Sequence, residues 1–172
     1  MSSLTASNRF RRRRGTADGI FISYRRQDEP AFAGRLYDRL VDQFGARRVF
    51  IDVDSVELGL DFAEVIDDSL TQCRVLLVVM GERWLGALNE RGQPRLADPN
   101  DFVRLEVEKA LAQRSVRVIP VLVEGALLPE SSELPPSMES LSRRQAIQMA
   151  HVSFGSDADK LVKTVDRILK SP

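Results

Sequence analysis

Apolar and polar residues along the chain fall into two alternating rhythms. Gly19 to Tyr24 (GIFISY), Val49 to Ile51, Val75 to Met80 (VLLVVM), Val116 to Val123 (VRVIPVLV) and Ala146 to Ala150 are short apolar runs of strand character. Between them the period changes to 3.6. Phe32, Ala33, Leu36, Leu40 and Phe44 share one side of a segment that Gly45 is placed to stop. Phe62, Ile66, Ser69, Leu70 and Cys73 form a second helical stripe, opened by Asp61 and Glu64 in capping-box spacing. Val103, Val107, Ala110 and Leu111 form a third, for which Asp98 is the expected cap and Pro99 the first helical residue, with Asp101 completing a capping-box-like turn. Leu161, Val165, Ile168 and Leu169 form the last, with Ser156 and Asp159 as its expected caps. Strands alternating with helices at this spacing predict an α/β sandwich on a five-stranded, mostly parallel sheet. VLLVVM, apolar on both faces, belongs at its centre. Pro120 argues that the fourth strand is an edge or carries a ladder break. Pro129, Pro135 and Pro136 mark an irregular connection after it.

Composition adds little to this picture except in the placement of charge. The chain of 172 residues carries 25 basic and 25 acidic residues, but Arg9 and Arg11 to Arg14 leave residues 1–15 wholly basic. The remainder has 20 bases against 25 acids, a net of −5. Residues 1–17 therefore read as a basic leader with too little apolar surface to fold, and 18–172 as one domain. A mildly acidic domain is not expected to bind nucleic acid. No apolar run is long enough to span a bilayer or to serve as a signal peptide, so no membrane partner is expected. A single cysteine, Cys73, and a single histidine, His151, give no zinc cluster and no nucleophile–histidine pair with spacing support. A lone thiol fits a reducing, cytoplasmic compartment.

Ligands of open α/β sheets bind at the carboxyl ends of the strands. Those ends bring together Tyr24, Arg25 and Arg26, then Asp52 to Ser55, then Gly81 to Trp84, and the start of the third helix. Arginines beside aromatic rings suit an anionic ligand with a flat ring, such as a nucleotide. Neither GxGxxG nor GxxxxGK[ST] is present, which argues against a dinucleotide fold of the Rossmann type and against a P-loop. Asp52 at a strand end would suit a phospho-accepting receiver, but Val121 to Glu124 lacks the strand-end lysine such a site needs. On the third helix Phe102 and Glu106 lie one turn apart along the margin of the apolar face. Glu108 points further toward solvent and can pair with Arg104. By spacing alone, Glu106 is most often one more solvated glutamate.

GIFISYRRQD, FIDVDSVELGLDF, VLLVVMGERWL, DFVRLEVEKAL and VIPVLV, in this order, resemble the TIR (Toll/interleukin-1 receptor) domain family, over about residues 18–170. The resemblance is closer to the bacterial and axon-degeneration members than to the receptor adaptors. It implies a flavodoxin-like, three-layer sandwich. Some members of that family are interaction scaffolds, and others cleave NAD+ at the nicotinamide–ribose bond. The cleaving members carry a glutamate on the third helix one turn after an aromatic residue, and Glu106 and Phe102 match those positions. The resemblance thus implies Glu106 as the catalytic residue, with Tyr24, Arg25, Arg26, Asp52, Ser55, Phe62, Trp84 and Phe102 around the substrate. It implies no cofactor beyond NAD+ as substrate, and self-association through TIR–TIR contacts. Leu58 stands where many relatives have proline, Ser55 where the axonal enzyme has lysine, and Phe102 where tryptophan is more usual.

The chemistry needs one carboxylate. Nicotinamide leaves as a neutral molecule, so no general acid is required, and the developing oxocarbenium ribose needs a nearby negative charge. Water then gives ADP-ribose, or adenine attacks internally and gives a cyclic isomer. The expected function is NAD+ cleavage in bacterial immune signalling or defence, and its rival is a TIR interaction module without turnover.

Overall fold

A computed structural model describes residues 17–51 and 58–172. The basic leader (apart from position 17) and residues 52–57, with Asp52 and Ser55, lie outside the described residues. Five strands form one sheet: β1 (Gly19–Ser23), β2 (Val49–Ile51), β3 (Cys73–Met80), β4 (Arg117–Val123) and β5 (Ile147–Met149). Their order is β2-β1-β3-β4-β5, and every pairing is parallel. The helices are α1 (Pro30–Phe44), α2 (Phe62–Thr71), α3 (Phe102–Ala112) and α4 (Phe154–Lys170). α1 and α4 cover one face, packing Phe32, Leu36, Leu40, Leu161 and Val165 onto Ile20, Ile22, Val75 and Leu77. α2 and α3 cover the other, packing Ile66, Leu70, Val103, Val107 and Ala110 onto Phe21, Leu76 and Val78. The result is the α/β sandwich that the alternating rhythms predict, in the three-layer, flavodoxin-like form that the resemblance implies. All five strands are parallel rather than mostly so.

Several boundaries depart from the sequence reading, each for a local reason. α1 stops at Gly45, whose φ of 89° is left-handed backbone that a side chain would strain. Asp61 caps α2 by accepting from the Ala63 amide at 2.9 Å. That helix ends at Thr71, so Cys73 opens β3 instead of closing the helical stripe. α3 begins at Phe102, and its cap is Asp101 rather than Asp98. Asp98 instead accepts from Asn100 N, holding the turn that contains Pro99. α4 likewise begins earlier than Ser156: Ser153 precedes it, and its hydroxyl is held by Asp157. β4 is an interior strand despite Pro120, which pairs with Val78 of β3. Pairing with β5 starts only at Val121, so at the proline β4 has a neighbour on one side alone. The proline-rich connection from β4 to β5 forms two 3-10 segments (Ser131–Glu133 and Pro136–Arg143), whose Met138 and Leu141 complete the α2–α3 face.

Cys73 is 1% exposed. Burial, with the Asp18 charge as a smaller contribution, pushes its thiol up to about 12. A thiol that stays protonated and enclosed is a poor nucleophile. Native protein at pH 8 should therefore take up no maleimide within minutes, and labelling should appear together with the unfolding transition in urea. Rapid stoichiometric labelling of folded protein would contradict this placement.

Candidate functional site

The strand order places one reversal in the sheet. From β1 the chain moves outward to β2, then returns across β1 to β3, so the crevice between the carboxyl ends of β1 and β3 is the natural ligand position. Tyr24, Arg25 and Arg26 leave β1 at this edge. α2 and α3 both begin here, because helices that return from parallel strands start at the strands' carboxyl ends. Phe62, first in α2, and Phe102, first in α3, meet edge to face with ring centroids 4.7 Å apart at 73°. Phe102 remains 37% exposed, whereas Glu106, one turn further on, is 6% exposed. The Glu106 side chain, one turn after Phe102, is therefore largely out of water. Its helix places it on the same side as Val103 and Val107. Lys109 of α3 reaches Asp67 of α2 at 2.8 Å and holds the two helices together behind the aromatic pair.

The structure assigns the remaining expected residues unevenly. Tyr24 is half-buried against the α1–α4 face, and Arg26 is exposed at the edge. Arg25 is not an open anion contact: it is 4% exposed. Its Nη1 and Nη2 donate to Asp101 Oδ1 and Oδ2 at 3.0 and 2.8 Å, and its Nε donates to the Trp84 carbonyl at 3.1 Å. A guanidinium so committed has no fork left for a phosphate. Trp84 is not a wall of the cleft either. At 1% exposed it is a core residue packed with Phe21, Met80 and Leu96, with the Arg25 guanidinium 5.7 Å from its ring centroid. Asp52 and Ser55 lie outside the described residues.

Glu108 pairs with Arg104 as expected, but it also accepts from Ser137 Oγ at 2.6 Å, so it ties α3 to the 3-10 segment that follows β4. His151 lies half-exposed, edge-on to Phe32, with Nε2 3.6 Å from Glu29. Asp28 lies beside the site without having been singled out. Its carboxylate accepts from the Gly81 and Arg83 amides at 2.6 and 2.8 Å, clamping the loop after β1 to the loop after β3. A side chain at Gly81 would strike Asp28 within 2.6 Å.

Asp101 is the residue that sequence reasoning undervalued. Its capping role is visible in the sequence, but its ion pair is not, since Arg25 lies 76 positions away. A shallow depression of about 510 Å³ lies next to this edge, lined by Gln27, Glu82, Arg83, Gly86, Ala87 and Leu88. A second, of about 460 Å³, lies between Leu85 and Pro136. Glu106 lines neither; the segment joining β2 to Leu58 falls outside the described residues. Among the described residues no helix is long and apolar enough to cross a membrane.

A family model described as "TIR domain" matches residues 20–164. No curated protein matches the chain at the sequence level. Among solved structures, a prokaryotic SEFIR domain aligns over 90% of this chain and 94% of its own, with 19% identity and a TM-score of 0.60. The TIR domains of the activated Roq1 resistosome, which recognises the pathogen effector XopQ, align over 87% and 97%, with 12% identity and a TM-score of 0.59. A metazoan TIR-STING receptor from C. gigas, in complex with 2',3'-cGAMP, aligns over 89% of this chain and 39% of its own, with 16% identity and a TM-score of 0.56. At these identities the likeness is one of fold.

Proposed function

The chain belongs to the TIR domain family, and from that premise we infer that it is an NAD+ nucleosidase, acting in the cytoplasm in immune signalling or defence. The observation that carries this reading is Glu106: a carboxylate 6% exposed, one turn below an aromatic pair, beside the crevice where ligands of such sheets bind. Structural glutamates on helices are mostly solvated, and this one is not. Its position matches the glutamate of the NAD+-cleaving members to which the sequence is similar.

The residues divide the work by their chemistry. Phe102, partly exposed, offers a ring face for nicotinamide, with Phe62 holding it edge-on. Arg26, exposed at the strand end, and Tyr24 flank the polar part of the dinucleotide. As the glycosidic bond breaks, the ribose gains positive charge at its anomeric carbon. A negative group fixed in an environment poor in water stabilises that charge more than water does. Nicotinamide departs neutral, and the ribosyl carbon is taken by water or by the adenine of the same molecule.

Incubation of the purified protein with NAD+ and measurement of nicotinamide tests this directly. Specific activity is expected to rise with protein concentration, because Leu58 is fully exposed and Leu60 about half exposed immediately before α2. Apolar side chains left in water beside a site favour association with another copy. Specific activity that stays flat over a hundredfold range would remove the assembly part of the reading. A second reading, an interaction module without turnover, is favoured by those same leucines. Association without any nicotinamide at the highest concentration would select it.

A further inference from the structure

The buried pair between Arg25 and Asp101 ties three separate segments at one point. Arg25 stands at the end of β1, the Trp84 carbonyl belongs to the loop after β3, and Asp101 caps α3. Both side chains are more than nine-tenths buried, at 4% and 7% residue exposure. Asp101 Oδ1 accepts Arg25 Nη1 at 3.0 Å, Oδ2 accepts Nη2 at 2.8 Å, and Oδ2 also accepts the Arg104 amide at 3.0 Å. Arg95 Nη1 stands 4.0 Å from Oδ1 as a second, looser cation.

A pair of this kind is a poor source of stability. Desolvating two charges offsets much of their attraction, and apolar residues of equal volume often do as well. What the fork supplies is direction: two parallel hydrogen bonds fix the plane of the carboxylate. Lys109 on Asp67 and Glu108 on Ser137 tie α3 in its later turns, and the fork adds a directional tie at its first turn, where the inward face is built of Val103, Val107 and Ala110. Small apolar contacts resist separation but are not directional, so they resist rotation about the helix axis only weakly. A side-chain tip lies roughly 5–6 Å from that axis, so a rotation of about 10° carries it about 1 Å. A displacement of about 1 Å in a reacting group costs on the order of 10²-fold in rate.

We propose that Arg25 and Asp101 are positioning residues that set the rotation of α3 and thereby the placement of Glu106, an inference that rests on the nucleosidase reading for its catalytic consequence. Both side chains are enclosed. The pair acts through the first turn of α3, five residues before the carboxylate it places.

Two variants test it. Arg25→Lys keeps the charge and removes the fork. Arg25→Met combined with Asp101→Asn removes both charges, while asparagine keeps the cap and methionine fills the stem. Each is read by its melting temperature, by kcat and KM for nicotinamide release, and by the carboxyl carbon resonance of Glu106 with its pH titration, assigned by its loss in Glu106→Gln. The expected result is a folded protein with kcat lower by about tenfold to a hundredfold, KM changed less, and a shifted Glu106 resonance and titration midpoint. An unchanged Glu106 resonance and an unchanged kcat in folded variants would overturn the proposal. If the double variant does not fold, Arg25→Lys decides by the same readings. If the wild-type protein releases no nicotinamide, the nucleosidase reading fails, and the Glu106 resonance alone decides the pair: a shift supports it and constancy overturns it.

Discussion

Glu106→Gln is expected to lower nicotinamide release by about 10²–10³-fold or more while leaving the fold and nucleotide binding intact. Glutamine keeps the length and the hydrogen-bonding shape of the side chain and removes only the charge. Loss of one preorganised electrostatic partner of a developing charge typically costs about 10²–10³ in rate. The side chain is 6% exposed, so water does not replace the missing charge. Binding should survive, because Phe102, Phe62 and Arg26 are untouched. The control is Asp42→Asn, the same loss of charge at an exposed position on α1, across the sheet from α3, and it should behave as wild type. Glu108→Gln is a poor control, since Glu108 holds Arg104 and Ser137. Equal, non-zero rates in Glu106→Gln and wild type would make Glu106 a structural residue and place the catalytic charge elsewhere.

The second large effect is expected at Trp84, and it falls on stability. The sequence places this tryptophan at a strand end, where an aromatic ring suggests a ligand contact. In the structure it is 1% exposed, among the largest fully buried side chains. Trp84→Ala should therefore cost about 3–5 kcal/mol, the range for emptying an aromatic site in a core. For a chain of this size that lowers the melting temperature by on the order of 10 °C. Trp84→Phe should cost far less. The ring volume is largely kept, and the indole Nε1, buried without a hydrogen-bond partner among the described residues, is removed with its desolvation penalty of about 1–3 kcal/mol. Thermal melts of the two variants check this. An alanine variant that melts like wild type but binds NAD+ more weakly would return Trp84 to the ligand.

Much of this protein was determined by local pattern. Periodicity is a property of neighbouring residues, so the strands at Gly19–Ser23 and Val49–Ile51, the third strand from Val75 onward and the four helices are legible without tertiary contacts. The i, i+4 placement of Phe102 and Glu106 on one helix margin follows from helix geometry alone. Asp61 and Gly45 announce helix ends because capping is a short-range interaction. Where two caps compete within four residues, as Asp98 and Asp101 do, the turn around Pro99 decided in favour of the second.

Burial of charge was decided only by the fold. Arg25 and Arg26 are adjacent and chemically identical, yet one is enclosed and the other exposed. The difference is Asp101, brought from 76 residues away to meet the first of them. A guanidinium leaves water only when a partner is already in place, and no local signal carries that information. The same holds for Trp84, whose surroundings come from β1, β3 and the loop before α3, and for Glu108, whose second partner Ser137 lies 29 positions on. Pro120 forms the converse case. Its cost depends on whether a neighbouring strand reaches it, and β5 begins its pairing one residue beyond. Sequence period set the elements and the margin on which Glu106 stands. Long-range pairing set which charges are enclosed and which stay in water, because desolvation depends on every segment that packs around a group and not on its neighbours in the chain.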